Sequence, residues 1–147
     1  MYQTIVVGTD GSSTATIAVD TAITLARALG AHLHVVCADN RVRAAASMAA
    51  TAGVAMTWNG LDEAADEHMS SVLDEAASRA RAQGVETTLH PSTGSAADTL
   101  VNVAAGEKAD LVIVGNRGMQ GARRLLGSVP SHVAHHAPCA VMIVPTK

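Results

Sequence analysis

The stretch that decides the fold is Ile5-Val6-Val7-Gly8-Thr9-Asp10-Gly11-Ser12-Ser13, followed by Ala18, Ala22, Leu25, Ala26 and Leu29 at three- and four-residue intervals. A β-branched run closed by glycines, then serine N-caps, then a 3.6-residue apolar period, reads as strand, turn and helix, with Gly30 placed to end it. The same unit recurs down the chain. Leu33 to Cys37 reads as a second strand, Leu61 to Gln83 as a second helix, Val85 to Leu89 as a third strand and Ser95 to Ala105 as a third helix. Leu111-Val112-Ile113-Val114 is apolar throughout, as strands buried on both faces are. A helix from about Ser128 to His136 and a strand from Ala140 to Val144 complete the pattern.

Strands alternating with helices imply right-handed β-α-β units. The expected architecture is α/β, an open five-stranded parallel sheet with helices on both faces, forming one domain over residues 1–147. The exception is Asp39 to Gly60, an alanine-rich stretch with no clean period, read as an insertion that is either a lid or a helical connection. Ligands of such sheets bind beyond the carboxyl ends of the strands, so function is sought after Val7, Val36 and Val114.

Composition narrows the chemistry. The chain has 147 residues, 48% of them hydrophobic, yet Tyr2 and Trp58 are its only aromatic residues and 29 are alanine. With a net charge of -3, it lacks the basic, aromatic surface on which nucleic acid stacks. No segment approaches the roughly 18 apolar residues of a membrane span, and Met1-Tyr2-Gln3-Thr4 leads directly into a strand rather than a secretory signal. A cytoplasmic protein with no nucleic-acid or membrane partner is expected. Cys37 and Cys139 lie far apart and are expected to be buried, reduced thiols.

The densest functional signal is Gly115-Asn116-Arg117-Gly118-Met119-Gln120-Gly121, running on through Arg123 and Arg124 to Gly127-Ser128-Val129. Glycines let main-chain N–H groups approach a ligand. A helix N-terminus favours an anion, and Ser128 adds a hydroxyl donor. Gly115, Arg117, Gly118, Gly127 and Ser128 thus describe a phosphate cradle or, alternatively, an ordinary strand-to-helix loop with solvated arginines. Neither a P-loop nor a G-x-G-x-x-G fingerprint is present, and the only lysines are Lys108 and Lys147. Across the expected cleft, Asp10 could accept from a ribose hydroxyl, hold a divalent cation, or simply form the turn before the first helix.

Taken together, Ile5 to Ser12, Val112 to Gly118, Gly127-Ser128-Val129 and Ala140 to Val144 resemble the universal stress protein family over essentially the whole chain. Its ATP-binding branch carries G-x-x-G, nine residues, then G-[ST]; here eight residues separate Gly118 from Gly127. The resemblance implies a Rossmann-like fold of the adenine nucleotide alpha hydrolase type. It implies that Gly8, Thr9 and Asp10 lie along the adenosine, with Val35 beside the adenine through its backbone. Gly115, Gly118, Gly127, Ser128 and Val129 would surround the phosphates of ATP, accompanied by Mg2+ or Mn2+ at Asp10. It further implies a homodimeric stress-response regulator paired through Val141 to Val144. Cyclic AMP binding and slow ATP hydrolysis are the alternatives, and no catalytic base stands out.

Among weaker signals, His132 and His136 share a helix face at a spacing that could bind zinc, although no acidic residue or cysteine obviously completes a shell. They are expected to be solvated histidines near a helix C-terminus. His32 and His34 read as an edge pair or as core-rim residues. No G-x-S-x-G elbow supports a hydrolase triad through Ser128.

Overall fold

The computed structural model describes residues 1–39, 48, 50–53, 58–116 and 128–146, with only the backbone described for 58–65 and 128. Five strands, β1 (Thr4–Thr9), β2 (His32–Ala38), β3 (Thr87–Ser92), β4 (Leu111–Gly115) and β5 (Ala140–Val144), form one parallel sheet in the order β3-β2-β1-β4-β5. Helices α1 (Ser13–Leu29), α2 (Trp58–Ala82), α3 (Ala96–Gly106) and α4 (Ser128–His136) cover it. The expected doubly covered parallel architecture is what the chain adopts.

Strand alternation sorts the core into two layers. Ile5, Val7, Leu33, Val35 and Ile113 pack with Ala18, Ala22 and Ala26 of α1 and with Met69, Leu73 and Ala80 of α2. Val6, Val36, Val112 and Val114 point the other way, onto Leu100 and Ala104 of α3 and Val133 of α4. The abundance of alanine is thus explained by helices that sit close to the sheet, and their ends are well formed. Ser12 Oγ accepts from Ala15 N at 3.1 Å at the start of α1, and Gly30, at φ 65°, closes it with an N–H to Ala26 O. Arg79 on α2 meets Asp20 on α1 through two hydrogen bonds, at 2.9 and 2.5 Å.

Three expectations need correction. The third strand runs Thr87–Ser92 rather than Val85 to Leu89, because Val85 is a buried lead-in packed in the α1/α2 layer while pairing with β2 starts at Thr87. The helix expected from Leu61 starts at Trp58, so the insertion is shorter at that end. Cys139 is only half-buried, although burial still pushes its thiol up from the usual value; Cys37 is buried, and both are free. Most of the expected insertion from Asp39 to Gly60 lies outside the described residues. No helix among the described residues is long and apolar enough to cross a membrane.

Candidate functional site

In this strand order, β1 is flanked by β2 on one side and β4 on the other. The connections after β1 and β4 therefore leave in opposite directions across the sheet, and a crevice opens between their carboxyl ends. The structure brings Gly8, Thr9 and Asp10 to one side of that crevice and Gly115 and Asn116 to the other. Helix α4 begins at Ser128, with Val129 half-buried against the α3/α4 layer. Arg117, Gly118 and Gly127 lie outside the described residues.

The turn after β1 is held by its own side chains. Thr9 Oγ1 accepts from Gly11 N at 3.2 Å, and Asp10 Oδ1 accepts from Ser12 N at 2.9 Å, an Asx turn that leads into the α1 cap. Asp10 therefore does form the turn. This bond occupies one carboxylate oxygen, and a half-buried carboxylate at a sheet edge retains acceptor chemistry suited to hydroxyls or a hard cation. Gly11, at φ +80°, fits where an added Cβ would fall 2.6 Å from Val72 Cγ2.

Two of the glycines expected to face a ligand are tight against the protein itself. A Cβ on Gly8 would lie 3.0 Å from Leu100 Cδ1, and one on Gly115 3.1 Å from Thr146 Cγ2. Both let neighbouring elements approach the ends of β1 and β4. Val35 lies deeper, wholly buried, in register with Val7 on one side and Leu89 on the other.

Several residues at this end of the sheet have roles that the sequence does not assign. Asn116 N donates to Val144 O at 2.9 Å, while its Oδ1 accepts from Thr146 N at 2.9 Å and Thr146 Oγ1 at 2.8 Å. Thr146 is fully buried. This clamp fixes the point from which the glycine-rich segment departs. Asp39, at the end of β2, is buried, and its N–H donates to Ser92 O at 2.9 Å. Ser92 Oγ in turn lies 3.0 Å from Thr99 Oγ1 and accepts from Gly94 N. Only contacts between elements reveal what these groups do.

The histidines of α4 make contacts within the chain. His132 Nε2 lies 3.0 Å from Asp98 Oδ1, an acidic neighbour that the sequence did not reveal. His136 Nδ1, however, is bonded to His132 O at 2.8 Å, and the two rings stack with centroids 4.2 Å apart. His34 sits on an interior strand and is buried, and burial lowers its pKa, with His32 the next contributor.

A sequence profile of the Universal stress protein family matches residues 1–145. Universal stress protein Rv1636 of Mycobacterium tuberculosis strain H37Rv is 37% identical over 147 residues, covering 99% of this chain and 97% of that protein. Among solved structures, a universal stress protein crystallised in complex with cAMP is 36% identical, with a TM-score of 0.72, covering 99% of this chain and 98% of its own. Universal stress protein UspA from Lactobacillus plantarum shares the fold, with a TM-score of 0.76 at 24% identity over 97% of each chain.

Proposed function

The chain belongs to the universal stress protein family, and on that premise we propose that it binds an adenine nucleotide between the carboxyl ends of β1 and β4 and acts as a homodimeric, stress-linked regulator with little or no catalysis. The observation that carries this reading is the 36%-identical structure in complex with cAMP, which matches this chain almost end to end.

The residues present fit such a ligand. The clamp at Asn116 sends the chain from β4 toward a helix that begins at Ser128, and a helix N-terminus offers unpaired N–H groups to phosphate. Gly115, Arg117, Gly118, Gly127, Ser128 and Val129 would surround the phosphates. Gly8 and Thr9 would flank the nucleoside, with Val35 one level deeper in β2. Asp10 would hold a ribose hydroxyl or, with ATP, the Mg2+ or Mn2+ whose charge offsets the phosphates. Cyclic AMP is the second reading, favoured by the ligand of that neighbour and by the eight-residue spacing from Gly118 to Gly127. Hydrolysis of ATP, if it occurs, should turn over more slowly than about one per second, below the usual enzyme range.

Calorimetry of nucleotide-free protein with ATP plus Mg2+, and separately with cAMP, tests this directly. Saturable heat is expected from at least one of them, and competition between the two establishes the preference. Gly115→Ala is a poor probe because the new methyl group would press on Thr146. Asp10→Asn is cleaner: the amide oxygen can still accept from Ser12 N, whereas the charge is lost. It should weaken binding about tenfold, as loss of a charge-assisted hydrogen bond of about 1.5 kcal/mol would. No heat with either nucleotide, together with no co-purified nucleotide in native mass spectrometry, would overturn the reading.

A further inference from the structure

On the α3 side of the sheet, away from the β1/β4 crevice in strand order, two strands and a helix end bring together side chains that the nucleotide reading does not use. His34 of β2 is 6% exposed, on the face it shares with Val36. His90 of β3, half-exposed, lies beside it, with His34 Nδ1 and His90 Nε2 2.9 Å apart and the ring centroids 5.1 Å apart. Glu107, exposed, caps the end of α3, its N–H bonded to Val103 O at 2.9 Å. One metal-ligating atom from each of the three lies within 4.8 Å of the other two, and among the described residues this is the only such group of three.

The electrostatics of the group favour a cation. Two facing imidazole nitrogens can share one hydrogen, one donating and the other accepting. A carboxylate at a helix C-terminus adds its charge to the partial negative end of the dipole, where cations are favoured and anions are not. Nothing in the core layers requires an acid at that position.

We propose that His34, His90 and Glu107 bind a divalent transition-metal ion of the zinc class, pinning edge strand β3 to β2 and to the end of α3. Two imidazoles and a carboxylate form a known ligand set for such ions, leaving a fourth position for water. Bonds of about 2.0–2.2 Å in tetrahedral geometry hold ligand atoms about 3.4 Å apart. The histidine pair must therefore open by about 0.5 Å from 2.9 Å. The remaining separations, all within 4.8 Å, must close by no more than about 1.4 Å, a movement within reach of the exposed Glu107 side chain. On binding, the ion takes the place of the hydrogen shared by the two rings, and the ring that donated it carries its proton on its other nitrogen instead, so that both imidazoles bind as neutral ligands. His32 stays outside the shell, with its Nε2 2.7 Å from Thr88 Oγ1.

The test uses the full chain, stripped with a chelator and free of nucleotide, titrated with Zn2+ by calorimetry and with Co2+ by visible absorption. One Zn2+ per chain and the intense d–d bands of four-coordinate Co2+ are expected. His90→Ala and Glu107→Gln should each weaken Zn2+ binding at least about tenfold. Both change residues outside the core, and circular dichroism without metal checks that they fold. His132→Ala, at the other histidine cluster, should leave binding unchanged. No zinc binding, binding indifferent to both His90→Ala and Glu107→Gln, or binding lost in His132→Ala would each overturn the proposal. Because no nucleotide is present, the outcome is independent of the crevice.

Discussion

The two edges of the sheet occupy equivalent places in the architecture and are built from opposite chemistry. Edge strand β3 carries Thr88, His90 and Pro91, with its polar groups engaged by His32 and His34 of the neighbouring strand. Proline and polar side chains blunt an edge against further pairing. Edge strand β5 is Ala140-Val141-Met142-Ile143-Val144, apolar throughout, with Met142 still 36% exposed. A free apolar edge of this kind is a template for another strand. The contrast teaches that β3 is blunted by proline and polar side chains, while β5 keeps an apolar edge, the one at which the proposed homodimer would pair.

The largest expected effect breaks the contrast from the β5 side. Met142→Lys puts a charge on the apolar edge and should weaken the proposed dimer at least about a hundredfold, since burial of the Met142 side chain is lost on both copies and like charges then face across a symmetric pair. Thr88→Lys on β3 should leave it unchanged. Sedimentation velocity across a concentration series reads both, and monomerisation by the Thr88 variant alone would reverse the assignment of edges. Next in size is Thr146→Val, which removes the hydroxyl from Asn116 Oδ1 just beyond β5. It should cost about 1 kcal/mol, or about 3 °C in Tm for a chain of this length, measured by thermal melts.

The smallest concerns the centre of the sheet. Asp110 Oδ2 accepts from Gln3 N at 2.7 Å and Thr4 N at 2.9 Å, and these bonds hold its carboxyl below the usual carboxylate range. Its folded-state pKa is depressed, so its stabilising contribution is present above the ordinary aspartate value and is lost as pH falls through the folded one. Asp110→Asn should therefore lower stability slightly at neutral pH while leaving it nearly unchanged once the native carboxyl is protonated, which flattens the acid limb of a stability–pH profile. An unaltered acid limb would show that these bonds do not contribute.

Much of the fold was legible because periodicity reports burial directly. Leu111 to Val114 reads as a strand covered on both faces, and it is. Where local signals misled, a tertiary contact prevailed. Val85 has the composition of a strand residue, but β3 starts at Thr87 because its pairing partner, β2, sets the register. The site was legible only in part. Asp10 and the glycines stand out by type and position, whereas Asn116, Thr146 and Asp39 acquire their roles from partners dozens of residues away or on another strand. Glycine spacing also could not reveal that Gly8 and Gly115 are small because Leu100 and Thr146 press on them.

By itself, the sequence determined the alternation of strand and helix, the ring-poor aliphatic core and the loops that reach the carboxyl edge. These follow from local propensity and hydrophobic period, which act within a few residues. Only the tertiary structure decided which strands became edges, which side chains face each of them, and that His34, His90 and Glu107 would meet. Those outcomes depend on strand order and register, which bring together side chains that no local spacing relates.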